Sequence, residues 1–319
     1  NDITTILINE DGNSKEIKWE DIINLKKEDG VLWINLNYNI KENHNWLKED
    51  SNIDSFVIDA LLAEDTRPRT FFHDNGYLII LRGINLNPGA DPDDMVSLRL
   101  WIEPNRIISI WRRKVMAIED LKNSILKGKG PKTEGEFISQ ITRILTLRMS
   151  QSINNISEQV DELEESILEQ PETPIRSTIS DLRRQIIRLR RYLFPQLDVF
   201  NRLQKETTTL LDFTDLAELR ETTDILIRYI EDLDASRERA AVVQDELESQ
   251  LSSKMNRTIY LLSIVTVIFL PLGLITGLLG INVAGIPGAN NPYAFIFVCL
   301  ILVFVSIMQI ILFKRKSWV

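Results

Sequence analysis

The side chains able to bind or move an ion are few and sit in separate stretches. Asn282 follows Gly280 and Ile281 directly after a long uncharged run, and Asn256 stands just before that run. A lone amide is a weak, neutral ligand. Repeated around a symmetry axis, Asn282 would supply a ring of oxygen acceptors that holds a hydrated divalent cation without stripping its water. Three other stretches concentrate charge: Ala63-Glu-Asp-Thr-Arg-Pro-Arg69, Asn87-Pro-Gly-Ala-Asp-Pro-Asp-Asp94, and the acidic run from Glu158 to Glu169. The first has no nucleophile, histidine or glycine-rich phosphate loop beside it, so a salt-bridged loop is preferred to acid–base chemistry by Glu64 and Asp65. The second lacks the Gly and Glu spacing of an EF-hand and reads as a solvated turn. With one cysteine, Cys299, and two histidines, His44 and His73, a dedicated His/Cys zinc cage cannot be built from one chain, and no intrachain disulfide forms. No catalytic constellation emerges, so neither an enzyme nor a resident cofactor is expected.

The elements that must position Asn256 and Asn282 are membrane spans. Ile259 to Leu279 and Tyr293 to Phe313 carry no charge. Each run is about 20 residues, enough to cross a hydrocarbon core of about 30 Å. Residues 259–279 and 293–313 are therefore expected as transmembrane helices in contact with lipid, joined by an outer loop over 280–292 and followed by a basic tail over 314–319. Lys254 and Arg257 precede the first span, and Lys314, Arg315 and Lys316 follow the second. This bias places both termini in the cytoplasm. Two helices cannot enclose a water path, so a pore needs a symmetric homo-oligomer with one helix per subunit on the axis. The first span is the better lining. It carries Ser263, Thr266, Gly273, Thr276 and Gly277, and Pro271 deprives the Val267 carbonyl of its helical partner. The second span is uniformly apolar by comparison. Gly273 and Gly277, four apart, equally suit close helix packing.

About 255 residues remain for soluble structure, one large domain or two modest ones. The formal net charge of −9 argues against nucleic acid as a partner and is compatible with a cation-collecting surface or with plain solubility. Asn1 to Asn9 reads as a strand rather than a leader. Residues 1–114 form an α/β domain, with strands near Ile3–Ile8, Val31–Leu36, Tyr77–Asn85, Met95–Glu103 and Arg106–Trp111, and a helix over Ser51–Ala63 that starts near Asn52 or Asp54. Residues 115–211 are helical: one long helix over Glu134–Gln170 ends in acidic turns, a Pro171–Pro174 turn reverses the chain with Thr173 as N-cap, and a basic helix carries Arg183, Arg184, Arg188, Arg190 and Arg191. The acidic and basic arms are expected to meet charge to charge. A last helix starts near Asp212, and its seam from Leu216 to Leu251 follows coiled-coil spacing. Over 212–258 it forms a stalk. Running unbroken into the first span, it would reach about 65 residues, or roughly 100 Å.

Gly280-Ile281-Asn282 after a proline-bearing span, with a short loop, a second span and a basic end, resembles the signature of the CorA superfamily of divalent-cation transporters. The string Phe269 to Gly288, Ala63 to Arg69, Leu81 to Met95 and the terminal Lys316-Ser-Trp318 are similar to its ZntB-like zinc-transporting branch. The resemblance covers most of the chain. It implies an α+β membrane protein of the inner membrane: a homopentameric funnel with a cytoplasmic α/β domain, long helical stalks and two transmembrane helices per subunit. It also assigns roles. Gly280, Ile281 and Asn282 would form the outer selectivity filter, with Asn282 the metal-contacting group. Gly273, Leu270, Leu262, Ile259 and Asn256 would face the pore, Leu262 and Ile259 as the apolar constriction and Asn256 as the inner polar ring. Two departures bear on the ion. Ile281 replaces the usual Met, and the loop has no carboxylate, which favours Zn²⁺ over a Mg²⁺/Co²⁺ channel of the same superfamily. No Asp, Glu, His or Lys lies within the spans to relay a proton. A membrane-anchored scaffold or sensor that conducts nothing is the alternative from another class.

Overall fold

Short β-rich runs punctuated by Asn, Asp, Gly and Pro assemble into a mixed sheet. The computed structural model describes residues 3–9, 11–24, 30–169, 174–205, 210–281, 286, 288 and 291–315. Strands β1 (Thr4–Ile8), β2 (Ser14–Glu16), β3 (Val31–Asn37), β4 (Arg69–His73), β5 (Gly76–Gly83), β6 (Val96–Glu103) and β7 (Arg106–Trp111) form one seven-stranded sheet in the order β2-β1-β3-β7-β6-β5-β4. Strands β3 and β7 pair in parallel, and the other neighbours pair antiparallel. On one face, helices α1 (Lys41–Glu49) and α2 (Ser55–Leu62) pack through Leu47, Val57 and Leu61 onto Ile34, Leu36, Ile80 and Ile108. On the other, Trp33 meets Phe137 edge-on with ring centroids 5.4 Å apart. There the parallel register sets Asn35 beside Ser109. The Trp33 indole donates to Ser109 Oγ at 2.8 Å, and that hydroxyl donates to Asn35 Oδ1 at 2.7 Å, so three buried polar groups satisfy one another. Gly76 is required by contact: a Cβ there would lie 2.3 Å from the Trp101 ring.

Six further helices follow: α3 (Met116–Leu126), α4 (Glu134–Leu147), α5 (Ser150–Glu169), α6 (Pro174–Lys205), α7 (Phe213–Leu279) and α8 (Ala294–Arg315). Asp54 caps α2 by accepting the Phe56 N–H at 2.7 Å, which settles the choice between Asn52 and Asp54. The single helix expected over 134–170 is two. It breaks at Arg148 and Met149, where Thr142 and Thr146 have turned their hydroxyls back on the preceding turn and Arg148 is tied to Asp120 of α3. The expected turn over 171–173 lies outside the described residues.

The acidic and basic arms do not neutralise each other among the described residues. Asp161 and Glu164 of α5 both bind Arg239 of α7, which lowers the Glu164 pKa through the hydrogen bond from that guanidinium. From α6, Arg190 pairs with Asp234 of α7 at 2.9 Å, and Arg188 reaches back to Asp93. Each arm therefore finds its partner on a third element. The α7 seam is buried at Leu219, Leu226, Ile230, Leu233 and Ala240. Its polar members are engaged as well: Thr223 accepts from Gln204 of α6 at 2.7 Å, and Gln244 accepts from Arg183. The chain divides into two compact units, Asn1–Gln244 and Asp245–Val319, and α7 contributes to both.

Candidate ion pathway

Two helices, α7 and α8, are long and apolar enough to cross a membrane, and no residue in the apolar window of either is buried in the single chain. What matters is how the exposed surface of α7 is divided. Within its apolar run, Ile264, Ile268, Pro271, Leu272 and Ile275 are partly covered, and they recur at intervals of three and four. On α8, Ala294, Val298, Leu302, Val305, Ser306, Gln309 and Phe313 form the matching stripe. These are the faces the hairpin turns inward. The residues assigned to a pore, Asn256, Ile259, Leu262, Leu270 and Gly273, are all exposed. At about 100° per residue they fall within an arc of about 120°, centred roughly 170° from the covered stripe. The positions that the resemblance implies for a pore thus share one face of α7, the face that α8 leaves open. Gly280 follows the last turn, its N–H donating to the Thr276 carbonyl at 2.9 Å, and Ile281 is exposed. Asn282, the expected metal contact, lies outside the described residues.

The hydroxyls of the span do not by themselves demand water. Ser263 donates to the Ile259 carbonyl, and Thr266 to that of Leu262, each at 2.8 Å, while Thr276 donates to that of Leu272 at 3.0 Å. Self-satisfied groups of this kind are tolerated against lipid. Asn256 differs, because its longer amide has no hydrogen-bond partner among the described residues.

One contact between the two spans escaped the sequence reading. Pro271 leaves the Val267 carbonyl without its helical donor, and Gln309 of α8 reaches that carbonyl through Nε2 at 3.5 Å. The signal was present: Gln309 is the one amide in a span described above as uniformly apolar.

The charged stretches of the other unit resolve into structure. Asp93 is held by Arg188, and Asp94 by Arg113, whose hydrogen bond lowers the Asp94 pKa despite some burial. The 87–94 loop, expected as a solvated turn, is thus clamped by arginine, and Asp93 is buried. His73 comes within 3.6 Å of Asp54 and 3.5 Å of Asp74, the three ligand atoms lying within 4.8 Å of one another. In the sequence His73 counted only as one of too few His and Cys residues for a zinc cage; the fold sets it beside carboxylates from the α2 cap and the β4–β5 turn. Exposed, and with Asp54 occupied in capping α2, the group is a surface pairing of His73 with carboxylates.

A sheet-containing domain, a helix that runs on into an apolar span, and a second apolar helix behind it define a two-span membrane protein. The family described as CorA-like Mg²⁺ transporter protein matches residues 28–315. The chain belongs to the CorA family. Among its relatives, the divalent cation transporter CmaX of Pseudomonas aeruginosa is 38% identical over 289 residues, covering 90% of this chain and 87% of the relative. The zinc transport protein ZntB of Pectobacterium carotovorum is 36% identical over 307 residues, covering 96% and 93%. The solved structure of full-length CmaX superposes with a TM-score of 0.86 at 36% identity, covering 99% of this chain and 97% of that one.

Proposed function

We propose that the chain is a subunit of a homopentameric transporter for divalent metal cations, with Zn²⁺ as the preferred cargo, set in the inner membrane with both termini cytoplasmic. The observation that carries this reading is the open face of α7. Five copies placed with that face inward would line an axis with stacked rings, and α8 would form the outer layer against lipid. Asn282 would hold a hydrated cation at the outer mouth through neutral amide oxygens. Leu262 and Ile259 would form an apolar constriction that stays dry until the rings part, and Asn256 would receive the ion on the inner side.

The names of the relatives support divalent cations in general, and the ZntB relative, together with the carboxylate-free loop, supports zinc. The family description favours a second reading, a Mg²⁺ channel of the same build. A membrane-anchored scaffold would leave the open face of α7 without a use.

Thiol accessibility tests the arrangement. In a Cys299→Ser background, single cysteines at 266, 270 and 273 should react with a charged, water-borne thiol reagent, and their modification should block flux. Cysteines at 264, 268 and 275 should be protected. The reverse pattern, or uniform protection, would overturn the assignment.

A further inference from the structure

Four guanidinium groups, outnumbering the carboxylates of Glu64, Asp65 and Asp94, line a cavity of about 450 Å³ beside strands β5, β6 and β7. Strand register brings them there. Arg82 pairs across with Ser97, and Ile80 with Arg99, so Arg82 and Arg99 leave the same side of the sheet. Arg112 and Arg113 follow directly after the last pair, Leu98 with Trp111. Arg113 is neutralised by Asp94, donating to its carboxylate from Nη2 at 3.2 Å as well as from Nη1. The other three are not so provided.

Arg82 is 8% exposed and Arg99 is 3% exposed. Arg82 gives one arm of its fork to the Met95 carbonyl at 3.0 Å and the other to the Thr66 carbonyl, leaving Nε without an acceptor. Its nearest carboxylate, Asp65, is 3.8 Å away on a side chain that is 83% exposed. Arg99 donates to the Leu61 carbonyl at 2.6 Å and to Ser97 Oγ at 3.1 Å, and forms no ion pair among the described residues. Arg99 and the exposed Arg112 lie over the Tyr38 ring at 5.2 Å and 5.5 Å, while Arg82 lies 4.6 Å over that of Tyr192 from α6. Burial pulls the Arg99 pKa down to about 10, with the Tyr38 hydroxyl opposing and Arg82 and Arg112 reinforcing the fall. A buried cation without a counter-charge is strongly disfavoured unless something supplies one. In a chain of net charge −9, carboxylates are plentiful, yet none is directed at Arg99.

We propose that this cavity binds a small phosphate-bearing anion through Arg82, Arg99 and Arg112. Planar guanidinium forks match the paired oxygens of a phosphoryl group, and the cavity has the size of an ordinary small-ligand site. Tyr192 of α6 lines the same cavity and offers an aromatic edge to a nucleotide as well as to free phosphate. Occupancy would fasten α6 to the β5–β6 strands and to the loop that carries Thr66. The site is separate from the ion pathway and does not depend on which metal is carried.

The test is calorimetric titration of the full-length, detergent-solubilised protein with inorganic phosphate and with adenosine monophosphate, each against chloride at equal ionic strength. Saturable phosphate binding is expected. It should weaken at least tenfold in Arg99→Gln and in Arg112→Gln and stay unchanged in Arg228→Gln, which removes an exposed arginine on α7. Tighter binding of the nucleotide would assign the ligand to the phosphomonoesters, and equal binding to free phosphate; both support the site. Heats no different from chloride, as when a carboxylate of a second copy already fills the cavity, would overturn it. So would full affinity in Arg112→Gln, an exposed change that folding should tolerate.

Discussion

Asp215 offers a sharp test of how α7 is anchored. Asp212 and Asp215 cap the helix reciprocally: the Asp215 N–H donates to Asp212 Oδ1 at 2.8 Å, and the Asp212 N–H to Asp215 Oδ2 at 3.1 Å. The Asp215 side chain is 3% exposed and packs so tightly on Gly135 that a Cβ there would lie 2.1 Å from Oδ2. Burial raises its pKa to about 6; the Asp212 N–H opposes the rise, and the charges of Asp212, Glu136 and Glu218 add to it. The folded state therefore holds its proton up to a higher pH than the unfolded chain does. Stability is greatest below the unfolded pKa of 3.8, falls as pH rises through about 6, and levels off above about 7. At 1.36 kcal/mol per unit, the carboxylate costs up to about 3 kcal/mol at pH 7.5 and about 1 kcal/mol at pH 4.5. Asp215→Asn keeps an oxygen for the Asp212 N–H and removes the charge. The variant should melt above the parent by up to about 6–12 °C at pH 7.5, and by about 2–4 °C at pH 4.5. Tryptophan fluorescence during thermal unfolding of the full-length protein reads both gaps. A variant that melts below the parent at pH 7.5, or a gap that does not change with pH, would refute the reasoning.

Gly76→Ala should lower stability by about 1–3 kcal/mol, because its Cβ can be accommodated only by moving the buried Trp101 ring; denaturant unfolding measures this. Gln309→Leu should change the stability of the membrane hairpin by less than about 1 kcal/mol, since the bond to Val267 is long at 3.5 Å and Oε1 is buried without a donor. Pro271→Ala restores a helical donor to that carbonyl, so Gln309→Leu should matter less in its background. A double-mutant cycle in mixed detergent micelles that shows no coupling would remove Gln309 from this role.

The strands and spans were legible because their patterns are local. An uncharged run of twenty residues or a β-rich run between turn formers announces itself. Strands β2 and β4 were not, since Ser14–Glu16 is short and polar, Arg69–His73 is only five residues with charge-bearing ends, and both owe their state to the neighbours they pair with. Helix α1 escaped for a similar reason, its Asn-rich sequence holding few apolar anchors. The break at Arg148 depends on Asp120, far off in the chain, and the charge partners of α5 and α6 depend on α7 lying between reach of both. At the candidate pathway, Asn256, Ile259, Leu262, Leu270 and Gly273 were named through the resemblance to a family motif, and helical phase shows that they share one face. What spacing could not reveal was the covered stripe at Ile264, Ile268 and Ile275, or the reach of Gln309, because both require the second span to be in place.

The most direct test of the central claim is metal flux into liposomes that hold the purified protein, comparing Zn²⁺ with Mg²⁺ in the parent and in Asn282→Ala, with and without a pH gradient. The account predicts Zn²⁺ uptake above that of Mg²⁺, lost in the variant while the oligomer stays assembled. Absence of flux for either ion in the parent, or undiminished Zn²⁺ uptake in Asn282→Ala, would contradict it.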